Sequence, residues 1–155
     1  MAASAWQLYN SAKQYIGNGT ITLGAGSFKM ALANSASNAS TFTLDTFGSL
    51  TGEISATGGY TSGGKELVPA TGQWTVGASA KQIKFTYSTV GLTFTASGSS
   101  LNNIRYAVIT FGASAGVASA RKLLCFCQLS STQFSVSSPN TLTVLPAGTG
   151  VFTLT

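Results

Sequence analysis

Three stretches of this 155-residue chain hold residue types that can do chemistry. Residues 123–129 read Leu-Leu-Cys-Phe-Cys-Gln-Leu and contain both cysteines, Cys125 and Cys127. Two thiols one residue apart invite a metal or a redox role. Glu53 and Glu66, two of the three carboxylates, are the candidates for an acid–base pair. Gly59-Tyr-Thr-Ser-Gly-Gly64-Lys65 has the spacing of the G-x4-G-K core that cradles phosphate in P-loops.

Each stretch lacks the companions its chemistry requires. The chain has no histidine, which removes the commonest general base and the Ser–His and Cys–His nucleophile systems. A C-x-C in one strand puts both side chains on one face, and no second pair exists to complete a four-ligand site. Neighbours along one extended strand also lack the geometry for a disulfide. Among Leu123, Phe126 and Leu129 the cysteines therefore read as small apolar wall residues. In the glycine loop, Glu66 stands where a P-loop needs a Ser or Thr for magnesium, and Leu67-Val68-Pro69 follows where a helix should begin. The loop reads as a turn with one solvated charge pair, and Glu53 and Glu66 read as solvated loop residues. No enzyme activity, cofactor or metal is expected. Trp6, Tyr60, Trp74 and Tyr87 could build a sugar-stacking platform, but such residues are more often core or interface anchors.

Composition points the same way. Charged residues make up 7% of the chain, against roughly 25% in an average soluble domain. Such a surface, built from hydroxyls, small side chains and backbone, suits a protein whose outside meets other protein. The net charge is +5, but Lys13, Lys29, Lys65, Lys81, Lys84, Arg105, Arg121 and Lys122 are dispersed, and only the last two are adjacent. Nucleic-acid binding would gather them in a stripe, so no nucleic-acid partner is expected; a weak attraction to acidic protein surfaces stays open. The first residues lack the pattern of a signal peptide, and no apolar run approaches the ~20 residues of a membrane helix. The expectation is synthesis in a cytosol with reduced thiols and no membrane partner. The sequons at Asn18 and Asn38 then read as chance matches.

The elements that must position these residues follow from periodicity. With Ser4 as N-cap, residues Ala5, Leu8, Tyr9, Ala12, Tyr15 and Ile16 recur at helical spacing up to Gly17 and Gly19, with Lys13 in the last turn. Residues 1–19 are thus read as a short helix or arm, which packs on its own domain or reaches a neighbour. Residues 20–155 read as one β domain. Its candidate strands are Thr20–Leu23, Phe28–Ala33, Trp74–Val76, Gln82–Tyr87, Leu92–Ala96, Ile104–Phe111, Lys122–Leu129, Gln133–Val136, Thr141–Leu145 and Val151–Thr155, divided by Gly, Ser and Asn clusters. Ile83, Phe85 and Tyr87 alternate with polar residues, as in a half-buried antiparallel strand. Ile104–Phe111 and Lys122–Leu129 are apolar on both faces and belong at the centre. Asp45–Glu53 is ambiguous and can hold a helical turn. The expected fold is all-β: an antiparallel β-sandwich, jelly-roll-like, with one short N-terminal helix.

Several stretches in chain order carry a resemblance: Trp6-Gln-Leu-Tyr-Asn-Ser-Ala-Lys13, Ile16-Gly-Asn-Gly19, Ser27-Phe-Lys-Met-Ala-Leu32, Gly58-Gly-Tyr-Thr-Ser-Gly-Gly64, Ile104-Arg-Tyr-Ala-Val-Ile109 and Gly150-Val-Phe-Thr-Leu-Thr155. Together they resemble small virion structural proteins of tailed bacteriophages, and specifically head decoration or cement proteins. The sequence departs from that group at LLCFCQL, where a plain aliphatic strand is more usual. The resemblance implies a β-sandwich without enzyme activity that sits on the outer surface of the capsid and braces the major capsid protein lattice. It implies a homo-oligomer, dimer or trimer, made in the host cytoplasm and localised to the virion. Trp6, Tyr9 and Lys13 near the N-terminus, with Tyr60 and Lys65 at the glycine turn, are the candidate capsid or oligomer contacts. The alternative is a tail- or fibre-associated protein that touches host-surface glycans.

Overall fold

The computed structural model describes residues 3–24, 26–67, 74–76, 82–87, 90–112, 117–147 and 150–154. They form antiparallel β-sheets with one short helix. Twelve strands are present among them: β1 (Gln7–Leu8), β2 (Phe28–Ala33), β3 (Lys65–Leu67), β4 (Trp74–Val76), β5 (Ile83–Phe85), β6 (Leu92–Thr95), β7 (Leu101–Ile104), β8 (Tyr106–Phe111), β9 (Lys122–Gln128), β10 (Phe134–Val136), β11 (Thr141–Val144) and β12 (Phe152–Leu154). The helix α1 spans Asn10–Gly17.

The main sheet has the order β1-β9-β8-β2-β3, with every pairing antiparallel. Smaller sheets β12-β5-β4, β11-β6 and β10-β7 complete the fold. Among the described residues these pairings give a sandwich-like architecture without tracing the two four-stranded sheets of a jelly roll. As their apolar composition required, β8 and β9 lie inside the main sheet, and Tyr106–Thr110 and Leu123–Cys127 are all buried. Between Ile109↔Cys125 and Thr110↔Leu123 the register skips Leu124, a bulge that bends β9.

Both faces of this sheet are covered by aromatic contacts. On one side Phe28 packs against Phe111 at 5.4 Å and against Phe85 of β5 at 4.9 Å, and Phe152 continues the stack from Phe85 at 5.3 Å. On the other, Phe126 meets Tyr9 at 5.2 Å and Phe42 at 5.5 Å. Offset and edge contacts of this kind add to the burial of the rings.

The N-terminal segment differs from the expected continuous helix. Gln7–Leu8 adds to the edge of β9, opposite Phe126 and Cys125. Ser4 caps no helix: its N–H donates to the Gln128 carbonyl (2.8 Å), and its hydroxyl accepts the Gln128 N–H (2.9 Å). An open strand edge offered stronger partners than a first helical turn, because every N–H left bare in β9 had to be satisfied. The helix starts after Tyr9, so Lys13 sits within it, not in its last turn. Tyr9 and Ala12 belong to the same buried core as the strands. Lys122 fastens the helix to β9, with its Nζ 3.0 Å from the Tyr15 hydroxyl and 3.3 Å from Asp45.

Other departures have local causes. Thr20–Leu23 buries Ile21 and Leu23 but joins no strand, since Ile21 bonds back to the Tyr15 carbonyl. The expected strand Ile104–Phe111 breaks at Arg105, whose N–H donates to Ala33 and whose carbonyl accepts from Leu129, so that Leu101–Ile104 leaves to pair with β10. Ile83 is 40% exposed although Phe85 and Tyr87 are buried. Asp45–Glu53 holds a 3-10 turn at Phe47–Ser49. Residue 155, the last of the expected strand Val151–Thr155, lies outside the described residues.

Tyr9 tests how firmly this segment belongs to the subunit. Its side chain is fully buried and donates a 2.7 Å hydrogen bond to the Ala39 carbonyl. Tyr9→Ala should destabilise the protein by about 3–5 kcal/mol in urea unfolding, and Tyr9→Phe by only ~1 kcal/mol. Equal, negligible losses would mean that the segment does not pack on its own subunit.

Candidate functional site

The glycine turn that matched a phosphate loop is built as a structural clasp. Gly63 has φ +84° and Gly64 φ +79°, a region open to glycine at little cost. A Cβ on Gly64 would run into the Met30 carbonyl of β2, and one on Gly63 would come within 2.6 Å of Arg121. The N–H of Gly63 donates to Glu53 Oε1 (2.6 Å), and its carbonyl accepts from Arg121 Nη1 (2.8 Å). Glu53 also accepts from the Tyr60 hydroxyl at 2.7 Å and from the Ser62 hydroxyl at 3.0 Å. These backbone groups are therefore already satisfied and are not presented to an anion.

Tyr60 links the clasp to the main sheet. Its oxygen accepts the N–H of Leu32 (3.1 Å) at the point on β2 where pairing with β3 has ended. Immediately beyond, Ile54 and Asn34 bond to Leu32 and Gly52 and continue the edge. Burial first, then the neighbouring Glu53 carboxylate, raises the Tyr60 phenol far above its ordinary range, so it stays a neutral donor. Arg121 is itself buried, donates to the Ala118 carbonyl (3.2 Å) and lies over the Phe47 ring (4.8 Å). Burial lowers its pKa and Glu53 opposes that shift. The sequence offered only one clue to Arg121, its adjacency to Lys122.

The other chemical candidates are likewise built into the structure. Glu66 does not join Glu53; it stands opposite Lys29 across β3 and β2. Cys125 and Cys127 are free, buried thiols set opposite Ile109 and Ala107 on β8. Burial pushes the Cys127 thiol up to about 12 against the opposing hydrogen bond from Ala107, and pushes Cys125 well above its ordinary value.

The five candidate contact residues are not brought together. Tyr9 and Tyr60 are buried, so neither side chain lies on the surface as a contact residue would. Lys13 is exposed on α1. Lys65 is exposed on β3, where its Nζ donates to the Thr93 carbonyl (2.8 Å), and with Tyr60, Phe94 and Thr95 it lines a cleft of about 400 Å³. Trp6 is half-buried and borders a larger groove of about 570 Å³ with Phe134, Leu142, Leu145 and Pro146. Among the described residues none that lines that groove is charged. Its far wall went unrecognised in the sequence, where Thr-Leu-Thr-Val-Leu-Pro-Ala resembles any other strand and turn. Comparison with family models, characterised proteins and solved structures returned no match.

Two outcomes follow. Glu53→Ala leaves the Gly63 N–H and the Tyr60 hydroxyl without their acceptor and should destabilise the fold by about 3 kcal/mol in denaturant titration; a loss below ~0.5 kcal/mol would show that the clasp does not hold β2. The thiols should resist aqueous thiol reagents until the protein unfolds, and Cys125→Ala should cost about 1 kcal/mol through the small cavity it leaves. Their folded pKa values lie above the unfolded thiol range, so their contribution to stability is complete below pH ~8.5. It is lost as pH rises toward the folded value of about 12 for Cys127.

Proposed function

We propose that this chain is a structural subunit of a tailed-bacteriophage virion: a decoration protein that binds the outer face of the major capsid lattice and braces the head. The observation that best supports this reading is how the charged and reactive groups are deployed. Glu53 and Arg121 hold the glycine turn, both thiols fill the core, and Asp45 pairs with Lys122. What remains outside among the described residues is a surface of Thr, Ser, Asn and Gly with Lys13, Lys65 and Glu66 exposed and a few large apolar side chains. Such an exterior suits broad, uncharged protein contact with weak steering toward an acidic surface. The order of the sequence motifs adds the virion context, and the jelly-roll-like connectivity of such subunits belongs to the same proposal.

Mass action supplies the mechanism. A subunit that binds only the assembled lattice lowers the free energy of the assembled state, by about 2.7 kcal/mol per site at a free concentration one hundred times Kd. A rigid subunit serves best, because little ordering entropy then opposes binding.

Titration of purified protein onto heads that lack it tests the reading. Saturable binding in many copies is expected, weakened by salt, with a higher temperature of head disruption. Absence of binding, an unchanged disruption temperature, or a few copies confined to the tail would overturn it.

A further inference from the structure

β11 pairs with β6 residue for residue: Thr141 with Thr95, Leu142 with Phe94, Thr143 with Thr93 and Val144 with Leu92. The Asn140 carbonyl accepts the Ala96 N–H at 2.9 Å, which sets the phase of the ladder. Bonded residues alternate in an antiparallel pair, so Leu142 and Val144 turn their backbone groups toward β6, while Thr141 and Thr143 turn theirs away. Among the described residues no strand lies on that side, for β11 ends its sheet. The opposite edge of β6 is covered, with the Thr93 carbonyl held by Lys65 and the Ser97 N–H by the Gly58 carbonyl (3.0 Å).

Most other sheet ends are blunted in ways that discourage pairing. β1 is two residues long and turns into α1. β3 carries Lys65 and Glu66, and β10 is irregular against β7. β4 and β12 have three residues each. β11 is a regular, uncharged strand of four. Its residues Leu142–Val144 border the uncharged 570 Å³ groove, and Leu145 just beyond is 57% exposed.

We propose that β11 is the pairing edge of a symmetric dimer, with the β11 strands of two copies antiparallel across a two-fold axis at Leu142. A second copy fits this edge on two grounds. The two-fold sets Thr141 of each copy opposite Thr143 of the other, so all four outward N–H groups find carbonyls. Although each chain carries a net charge of +5, the edge itself has no charge, so no like charges face one another across the axis. The inference concerns the free protein and stands apart from binding to a capsid.

Sedimentation over a dilution series, paired with residue-resolved amide exchange, tests it. A dimer that dissociates on dilution is expected, with the Thr141 and Thr143 amides protected when concentrated and unprotected when dilute. Thr143→Pro removes an outward N–H, and with it the 2.8 Å hydroxyl contact to Thr93, while leaving the backbone bonds to β6 from Leu142 and Val144, and should give a folded monomer. A wild-type monomer at every concentration would overturn the proposal. So would an oligomer whose Thr141 and Thr143 amides exchange as fast as loop amides, or protection that arises only on adding capsid protein. If Thr143→Pro fails to fold, the wild-type exchange decides.

Discussion

β2 has β8 on one side along its whole length, but β3 covers only the first half of its other edge. The clasp around Gly63 resolves that mismatch. Glu53 and Arg121 hold the two polar groups of one glycine, and the same carboxylate orients the Tyr60 hydroxyl onto the Leu32 N–H. A side-chain oxygen thus stands where a strand would otherwise continue. With that group satisfied, Ala31–Ala33 can lie buried in the sheet without an orphaned donor. The geometry needs two consecutive glycines at positive φ, one passing under the Met30 carbonyl and one beside a guanidinium. Here Gly63-Gly64 is a requirement of packing, although the spacing of the loop imitates a phosphate loop.

The low charge content makes each ion pair and each buried charge consequential. Burying a guanidinium without a partner would be strongly unfavourable. Arg121 is buried with three compensations: the carbonyls of Gly63 and Ala118, the Phe47 ring, and the nearby field of Glu53. Lys122, the next residue, faces the other way and ties α1 to β9 through Tyr15 and Asp45. The adjacent basic pair is therefore divided between two structural tasks and does not form a patch.

What could be read from the residues was whatever depends on local pattern. β2 and β4 were expected at their observed limits, and β9 within one residue, because alternation and apolar runs report burial directly. The burial of Cys125 and Cys127 followed from their neighbours. The helix start is not legible because Ala5, Leu8, Tyr9 and Ala12 fit a helical face just as they fit a strand that leads into a helix. The open edge of β9 decides, 117 residues away in sequence at the Leu8↔Cys125 pairing. Arg121 escaped notice for the same reason: its partners, Gly63 and Glu53, are distant in sequence, and nothing in a dipeptide Arg-Lys signals a buried guanidinium. Tyr60 and Tyr9, candidate contacts in the sequence, lie inside, Tyr9 with its hydroxyl on the distant Ala39 carbonyl and Tyr60 between the nearby Glu53 carboxylate and the distant Leu32 N–H.

The same logic distinguishes the edges that are finished from those that are not. At β9, Ser4–Leu8 supplies partners from the chain itself; at β2, Tyr60 and Gly52–Ile54 do so; at β6, Lys65 and Gly58 do. Three edges are thus completed by three unrelated devices, each drawing on a segment remote in sequence. β11 has the same unmet groups in its outward phase and no device of its own among the described residues. Since exposed backbone groups of a regular strand are a template for another chain, the place where the fold stops completing itself is also the place where a second molecule has the most to add.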